Sequence, residues 1–450
     1  MIDNIIAFVP LAFLIATALI TKKMAESMIS AALLAVVIYY KQHCITGLVD
    51  TLYDTLSNPS FQFIIIIVIL FGGVNSLLQE SGALIGFGNS VSKFADGPRK
   101  PLVLSWLMAV AMFVDDFMAI MTATVTMKGT TDRNRIPREH TAFTINTVAC
   151  SAPLVIPFSS WTAFTMGLLA QYDMGYDTYV SAVPYMFYPI IMIVVPLLLA
   201  VGALPKVGPL KTSYKRVEDG GPLCVKEQKG ASIIDIEIKE DGEEAHALYA
   251  IIPILFIIIG VFLFDKNLIY GLILGLAAQF VLYVILGKMD ISGFFEFFFD
   301  GAKSMLTLII IVCFGFSLSS INQKLGLFDI LIGGIGRGFP VWLIPVIVFV
   351  VVGFTVFATA GCWVMQVIAM PIFVPLGAAI GCPMSYILAA MMSGTSLGYA
   401  TCFYADALFL TSAGTGVSNI RIVQTSLPYA LPVAAVTTAC YLILGFLMLA

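Results

Sequence analysis

The amino-acid sequence predicts an all-α polytopic membrane protein, and three observations lead to this fold class. Hydrophobic residues make up 60% of the 450 residues and charged residues only 11%, less than half the share in a soluble domain. The apolar residues form runs long enough to cross a bilayer core of about 30 Å as helices. These runs lack the alternation of polar and apolar residues that the strands of a membrane barrel require, so we predict helices.

Short polar stretches separate twelve apolar segments. The segments cover residues 3–20, 26–40, 61–79, 101–127, 140–171, 178–204, 247–264, 268–287, 303–321, 341–380, 385–411 and 425–449. The first segment follows an acidic start and precedes Lys22 and Lys23, whereas a cleavable signal has its basic residues first. We therefore expect this segment to be retained as the first span.

Two halves of the chain repeat each other at a constant spacing of 244 residues. At this spacing Asn4–Ile20 aligns with Leu248–Phe264, and Phe113–Phe117 aligns with Phe357–Gly361. A constant register over most of both halves indicates two copies of one membrane unit, as in transporters built from internal repeats.

The repeat divides the chain into three parts. We predict an N-terminal transmembrane repeat at residues 1–204, a hydrophilic linker at 205–246 and a second transmembrane repeat at 247–450. Within the linker, the alternating segment Ser232–Lys239 predicts a short strand.

One long segment in each half is interpreted as a re-entrant hairpin. Residues 101–127 would reach about 40 Å as a straight helix at about 1.5 Å per residue, which exceeds the bilayer core. Asp115 and Asp116 lie at the middle of this segment, so the hairpin would carry both carboxylates at its tip. Its counterpart at 341–380 would turn near Thr359–Gly361 and enter from the opposite side.

The hairpins fix the predicted topology. Each half then has five crossings, an odd number, so the second repeat must be inverted relative to the first. The N-terminus and C-terminus lie outside and the linker lies in the cytoplasm. All but four of the 23 Lys and Arg residues fall inside, the exceptions being Lys41, Lys266, Lys324 and Arg337. This asymmetry follows the positive-inside rule and predicts insertion in the cytoplasmic membrane.

Two further long segments contain residues that break helices. Segment 140–171 contains Pro153 and Pro157, and segment 385–411 contains the Gly-, Ser- and Thr-rich run Ser393–Thr401. Proline removes a backbone donor, and runs of small polar residues tolerate unwinding. We predict a discontinuous helix in each half, because unwound carbonyls and helix ends hold ions at the midplane of many transporters.

Asp115, Asp116 and Asp406 are the carboxylates deepest within apolar sequence. A charge at this depth is costly unless it is paired, protonated or bound to a cation. Neighbouring carboxylates repel each other, so Asp115 and Asp116 can hold a proton when Na⁺ is absent. This competition between Na⁺ and H⁺ is the minimal basis of an antiporter, and Na⁺ is the metal ion expected at the pair.

Hydroxyl and aromatic residues near the predicted breaks extend the candidate site, because Na⁺ prefers oxygen ligands. We predict that Ser159 and Ser160 bind the ion with the aspartates, and that the site is lined by Trp161, Thr359, Thr395, Ser396, Thr401, Tyr404, Thr411 and Ser412. The alternative for a single hydroxyl is a hydrogen bond to a carbonyl of its own helix. Trp161 and Trp363 have core or interfacial packing as the alternative to walling a cavity.

Several classes of protein are excluded or disfavoured. The net charge of −4 and the pI near 5.4 give no reason to expect a nucleic-acid partner. No Walker motif supports a pump driven by ATP, and Gly394–Gly398 matches a hydrolase elbow without the preceding strand or a nearby histidine. We expect no enzymatic activity and no cofactor beyond Na⁺ as a transported or coupling ion.

Three sequence elements together resemble the NhaC-type Na⁺/H⁺ antiporter family. They are Phe113–Phe117, which contains the Asp-Asp pair, Thr131–Glu139, and Pro157–Trp161, which reads Pro-Phe-Ser-Ser-Trp. A second signature is similar at Ala405–Asp406, Thr411–Gly414 and Thr425–Ala430, and the likeness runs from about residue 60 to the end. The resemblance implies paired re-entrant hairpins and carries the ion-binding role onto Asp115, Asp116, Ser159, Ser160 and Asp406.

The second half departs from the family pattern. Thr359–Trp363 stands where family members carry Gly-Thr-Ser-Trp-Gly, and Ala400–Asp406 lacks their His-Cys-Ser-Pro run. The species bound by the second half therefore stays open. Two functions follow: a Na⁺/H⁺ antiporter, or a Na⁺- or H⁺-coupled carrier of a small organic solute such as an amino acid or carboxylate. Membrane lipid is an expected partner, and a homodimer is an expectation from folds of this kind.

Overall fold

The computed structural model describes residues 2–21, 23–92, 97, 99–225, 246–264, 267–327, 330 and 340–449. In these residues every regular element is a helix. Seven helices are long and apolar enough to cross a membrane, and nine if each of two bent pairs forms one span. The predicted all-α polytopic membrane fold is confirmed, while the predicted strand Ser232–Lys239 lies outside the described residues.

The described residues of the first half form twelve α-helices before the linker. They are α1 Ile2–Thr21, α2 Met24–Tyr40, α3 Cys44–Leu56, α4 Pro59–Glu80, α5 Ala83–Ser92, α6 Lys100–Ala111, α7 Asp116–Arg133, α8 Arg138–Ala149, α9 Ala152–Val155, α10 Ser160–Leu169, α11 Tyr176–Ala182 and α12 Phe187–Val201. Helix α4 shows why such starts are sharp: the Asn58 side chain accepts hydrogen bonds from the N–H groups of Ser60 and Phe61, and Pro59 occupies the first turn.

The linker and the second half continue the helical series. Helix α13 is Gly208–Glu218, followed by α14 Leu248–Leu263, α15 Leu268–Phe280, α16 Ile291–Ser304, α17 Leu306–Lys324, α18 Ile344–Thr359, α19 Cys362–Ile380, α20 Met384–Thr401, α21 Asp406–Thr415 and α22 Asn419–Leu449. Helices α3, α13 and α16 lie in stretches that sequence analysis treated as connections. Helix α16 buries Phe294 against Leu77 and Tyr283 but exposes Phe295 and Phe299, and together with α17 it forms the candidate span Ile291–Lys324.

Helices recur along the chain at the predicted spacing. Helix α6 begins at Lys100 and α18 at Ile344, which is 244 residues later. Helices α4 and α17 correspond at this spacing and contact each other: the Phe61 ring at the start of α4 lies 5.6 Å from the Phe316 ring near the middle of α17. The inversion of the second half relative to the first stays a prediction.

Both hairpin segments are interrupted where the sequence indicated; their re-entrant course stays a prediction, since Val341–Thr359 and Cys362–Ile380 are each long and apolar enough to cross a membrane. Helices α6 and α7 pack along each other and are joined by the short turn 112–115, which places Asp115 and Asp116 at its end. Helices α18 and α19 also contact each other, and Ala360 between them has a φ of 56°. A left-handed residue at this position reverses the chain within two residues.

The first predicted break is present and the second lies elsewhere. The segment Arg138–Val155 and the segment that follows from Ser160 are bent by 42°, with Pro157 in the break. The predicted break within Ser393–Thr401 is wrong, because this run is continuous helix in α20 and the break falls at residues 402–405.

The glycines of α20 explain why this run remains helical. A Cβ atom at Gly398 would lie 2.6 Å from the carbonyl oxygen of Gly353, and one at Gly394 would lie 2.7 Å from that of Phe349. Both glycines therefore allow α20 and α18 to pack backbone against backbone, as small residues do in membrane helices. The small residues that predicted an unwound segment in α20 instead allow this helix to pack closely against α18.

Candidate functional site

Asp115 connects the first hairpin to the first broken helix. It precedes α7 in an extended conformation, and its Oδ1 accepts hydrogen bonds from the N–H groups of Phe117 at 3.0 Å and Met118 at 3.3 Å. Its Oδ2 accepts a hydrogen bond from Ser160 Oγ at 3.0 Å. The Asp115 side chain is therefore fixed as the N-cap of α7 and also faces the start of α10.

Asp116 is fully buried and points to different partners. Its Oδ1 accepts a hydrogen bond from Trp161 Nε1 at 3.2 Å, and its Oδ2 accepts one from the Tyr399 hydroxyl at 2.9 Å. Trp161 belongs to α10 and Tyr399 to α20, so this carboxylate joins the first half to the second. The two adjacent aspartates thus present their oxygens in separate directions.

Asp406 completes a group of three carboxylates. It is the first residue of α21, and its Oδ1 accepts a hydrogen bond from the Ala407 N–H at 2.9 Å. The Tyr399 hydroxyl lies close to it, and Asp116 is near enough for the two negative charges to repel. The side chain of Asp406 is exposed to the central cavity, unlike that of Asp116.

Equivalent residues tie each hairpin tip to the broken helix of its own half. The Ser160 N–H donates to the Val114 carbonyl at 2.8 Å. In the second half the Tyr404 hydroxyl donates to the carbonyl oxygens of Phe357, at 3.3 Å, and of Ala358. Ser160 and Tyr404 are 244 residues apart, as are Val114 and Ala358. The contact between hairpin tip and broken helix therefore occurs at equivalent positions in both halves. A backbone N–H donates in the first half, and a tyrosine hydroxyl donates in the second.

A cavity of about 520 Å³ opens between these tips and helices α2, α4, α16 and α17. Its polar and aromatic lining consists of Glu26, Phe71, Asn75, Asp115, Phe117, Ser160, Phe164, Ser304, Thr307, Thr359, Trp363, Tyr404 and Asp406. Among the described residues that line it, the charged side chains are all acidic. The cavity therefore favours a cation or a solute that carries a cationic group.

Two indole rings close the inner wall of the cavity. Trp161 and Trp363 are stacked with ring centroids 4.0 Å apart and ring planes 19° apart. Phe164 packs edge-on against Trp363 at 4.9 Å. Trp363 lines the cavity while Trp161 lies behind it, so the pair joins the second hairpin to the first broken helix.

Several predicted site residues lie away from this cavity. Thr395, Thr401 and Thr411 donate hydrogen bonds to carbonyls of their own helices. Ser159 caps α10 and donates to the Pro153 carbonyl. Ser396 forms a hydrogen bond with Ser151 Oγ at 3.1 Å, and Ser412 is buried in α21. Asp115, Ser160, Thr359, Tyr404 and Asp406 line the cavity, and Asp116 and Trp161 lie directly behind it. Thr395, Thr401 and Thr411 thus make the intrahelical bonds given as the alternative, whereas Ser396 bonds across to the first half.

Several polar residues near the site were not predicted from the sequence, among them Glu26, which lines the cavity, and Tyr399, Asn75 and Asn146. Tyr399 was overlooked because the run around it was interpreted as unwound. Asn75 lines the cavity, is only 7% exposed, and its Oδ1 has no hydrogen-bond partner. Asn146 donates to the Ala400 carbonyl at 3.0 Å and its Oδ1 accepts from Thr411 at 3.3 Å, which links the two halves. An isolated amide within apolar sequence could have identified both asparagines.

A multi-pass helical membrane protein with two hairpin tips, a broken helix and buried carboxylates around one cavity is a secondary transporter. The comparison with protein families agrees with this class and is more specific. The chain belongs to the Na⁺/H⁺ antiporter family, whose family model matches residues 148–446. The predicted relationship to NhaC-type antiporters is confirmed.

One relative and two solved structures are similar to this chain over most of its length. An uncharacterized protein of Haemophilus influenzae is 24% identical over 432 residues, which cover 90% of this chain and 82% of that protein. The YdaH transporter of Alcanivorax borkumensis superposes with a TM-score of 0.59 at 13% identity over 90% of each chain. MtrF of Neisseria gonorrhoeae, described with a class of antimetabolite efflux pumps, gives 0.57 at 11% identity over 88% of this chain and 84% of its own. At these identities the structures establish a common fold.

Proposed function

We propose that this transporter is a Na⁺/H⁺ antiporter that works by alternating access, with Na⁺ and H⁺ competing for Asp115, Asp116 and Asp406. One observation carries the proposal. Asp115, Asp116 and Asp406 gather around a cavity within apolar helices that Glu26 also lines, and the described residues lining that cavity include no Lys, Arg or His. Because unpaired carboxylates in such surroundings are costly, bound cations would supply the compensating charge.

The positions of the three carboxylates support a division of roles. Asp115 and Asp406 face the cavity, where a hydrated cation can reach them, whereas Asp116 is shielded behind Trp161. The Tyr399 hydroxyl donates a hydrogen bond to Asp116 and lies close to Asp406. Through this hydroxyl, cation binding at Asp406 can change the proton affinity of Asp116. In this proposal Na⁺ enters at Asp115 and Asp406, and a proton is held at Asp116 when Na⁺ has left.

A coupled carrier of a small organic solute is the second candidate, and the size of the cavity favours it. A volume of about 520 Å³ lies within the range of about 300–1,000 Å³ typical of small-molecule sites. The acidic lining and the partner-free Asn75 Oδ1 suit an ammonium group. The N-terminus of α19, whose Trp363 and Cys362 line the cavity, suits a carboxylate. An amino acid fits this lining better than a carboxylate that has no ammonium group.

One reconstitution experiment separates the two candidates. The purified protein is placed in liposomes, a Na⁺ gradient is imposed, and the internal pH is recorded without and with added amino acids or carboxylates. Protein-free liposomes of the same lipids are the control. We expect the internal pH to follow the Na⁺ gradient with no solute present. A pH change that requires an added solute would contradict the antiporter and establish the second candidate.

We further propose that the protein is inserted in the cytoplasmic membrane with both termini outside and residues 205–246 inside. The support is the distribution of Lys and Arg described above. Lys128→Cys, introduced into a background without the native cysteines, is expected to react only with thiol reagents that reach the cytoplasm. Labelling of this position from outside by an impermeant reagent would contradict both the orientation and the re-entrant first hairpin.

A further inference from the structure

A second cavity of about 500 Å³ lies at the open end of the first hairpin, and it shares no lining residue with the central cavity. Its polar lining comes from Arg99, Asn134, Arg135, Lys206, Tyr214 and Glu218. Arg99 directly precedes α6, and Asn134 and Arg135 directly follow α7. The cavity therefore lies between both ends of the hairpin that carries Asp115 and Asp116 and the connection from α12 to α13.

Positive charge dominates this second cavity. Three of its lining side chains are basic and one, Glu218, is acidic. Burial lowers the pKa of Lys206 from its ordinary value, Glu218 opposes this change, and the nearby Arg99 guanidinium adds to it. Three basic groups around one cavity with a single carboxylate leave an excess of positive charge that an anion would neutralise.

Local contacts hold the basic groups in place. The Lys206 ammonium lies 3.2 Å from the centroid of the Tyr214 ring. Gly202 has a φ of 81° and packs against the Arg99 guanidinium, since a Cβ atom there would lie 3.4 Å from Nη2. Arg135 has a φ of 53°, which is uncommon for a residue with a side chain, and its Nη2 donates to the Val217 carbonyl at 3.4 Å.

We propose that this second cavity binds a phosphate-class oxyanion, either free phosphate or the headgroup of an anionic lipid. Guanidinium groups match the oxygens of phosphate by paired hydrogen bonds, and basic pockets beside membrane helices bind lipid headgroups. Because the anion would bridge Arg99 and Arg135 to Lys206, it fixes the ends of the first hairpin relative to α12 and α13. The proposal does not depend on which ion or solute the central cavity carries.

Binding is tested on the full-length protein in nanodiscs by its melting temperature. Potassium phosphate is titrated into neutral phosphatidylcholine discs against potassium chloride of equal ionic strength, and a parallel series raises the share of phosphatidylglycerol. The variant Arg99→Gln with Lys206→Gln removes two lining charges. The matched control, Arg133→Gln with Lys211→Gln, removes the same charge from exposed residues outside the cavity.

We expect a saturable rise in melting temperature for the wild type and the control, and an apparent affinity weaker by about tenfold or more in the cavity variant. Saturation with inorganic phosphate identifies a free oxyanion, and saturation only with phosphatidylglycerol identifies a lipid headgroup. An absence of saturation in both series, or equal responses of both double variants, would overturn the proposal. If the double variant does not fold, Lys206→Gln alone is expected to weaken the apparent affinity for the anion. A wild-type affinity in this single variant would also overturn the proposal.

Discussion

The two hairpin tips occupy equivalent positions of the repeat but differ in chemistry. Asp115 and Asp116 stand in the first tip where Thr359 and Ala360 stand in the second, 244 residues later. The first tip is held by carboxylate hydrogen bonds. The second is held by a left-handed turn at Ala360 and by Thr359 Oγ1, which accepts from the Gly361 N–H at 3.2 Å. One scaffold therefore supports a charged tip and a neutral one, and the proposed ion binding belongs to the charged tip.

The largest expected effect comes from removing charge at the first tip. Asp116→Asn keeps the size of the side chain but removes a carboxylate that accepts bonds from Trp161 and Tyr399. Bonds to charged groups contribute about 1.5–3 kcal/mol each, so the Na⁺-driven pH change should fall by about 100-fold or more. The matched change at the second tip, Thr359→Val, should retain most of the activity. Equal losses in both variants would contradict the proposed difference between the tips.

The second tip should instead be sensitive to packing. Gly398→Val places a side chain against Gly353 and Phe357 of α18, which we expect to destabilise the fold by about 1–3 kcal/mol. In the first hairpin, Gly129 of α7 has no atom within 4 Å of the Cβ position, so Gly129→Ala should raise stability by about 0.5–1 kcal/mol. Thermal unfolding of both variants in one detergent measures the difference. A stable Gly398→Val protein would show that α18 and α20 are not tightly joined.

The junctions between tips and broken helices provide a finer comparison. Ser160→Ala removes a bond to the charged Asp115, whereas Tyr404→Phe removes bonds to the neutral carbonyls of Phe357 and Ala358. A hydrogen bond to a charged group contributes about 1.5–3 kcal/mol and one between neutral groups about 0.5–1.5 kcal/mol. We therefore expect the larger loss of apparent Na⁺ affinity in Ser160→Ala. Initial rates at increasing Na⁺ concentration give both values. The reverse order would assign the ion site to the second half.

The smallest expected effect concerns the aromatic wall. Trp363 of the second hairpin corresponds to Ala119 of the first, and Trp161 corresponds to Ala405, so the stacked pair that joins the two halves has no counterpart at the repeat-related positions. Trp363→Phe keeps an aromatic ring but reduces the overlap with Trp161. An aromatic pair contributes about 0.5–1.5 kcal/mol of stabilising free energy, of which this variant loses a part. We expect the transport rate to fall less than tenfold, and Trp106→Phe, remote from the cavity, to leave it unchanged. A complete loss in Trp363→Phe would give this residue a direct role in transport.

The sequence was sufficient for the helical membrane fold, the hairpin turns and the first break. These features follow from hydropathy, from the cost of buried carboxylates and from proline, each of which acts locally. The break in the second half was placed wrongly because Gly394 and Gly398 have two uses, and only the approach of α18 distinguishes packing from unwinding. The composition of a segment does not indicate which helix packs against it in the folded protein.

The candidate site was predictable in its charges but not in its geometry. Asp115, Asp116 and Asp406 were found because carboxylates in apolar sequence are rare. Tyr399 could not be assigned, since its bond to Asp116 joins residues that are 283 positions apart in the chain. The hydroxyls of Thr395 and Thr401 resemble ion ligands in sequence, yet the carbonyl four residues earlier satisfies each of them.

The stacked indoles also give the protein a built-in optical reporter of its own motion. Only four tryptophans are present, and Trp161 and Trp363 are the two in contact, at 4.0 Å. One indole moves with the first broken helix and the other with the second hairpin. Any rearrangement that opens this wall must separate the rings and change the electronic coupling between them. Near-ultraviolet circular dichroism can therefore follow the opening of the unlabelled protein as Na⁺ or pH is varied.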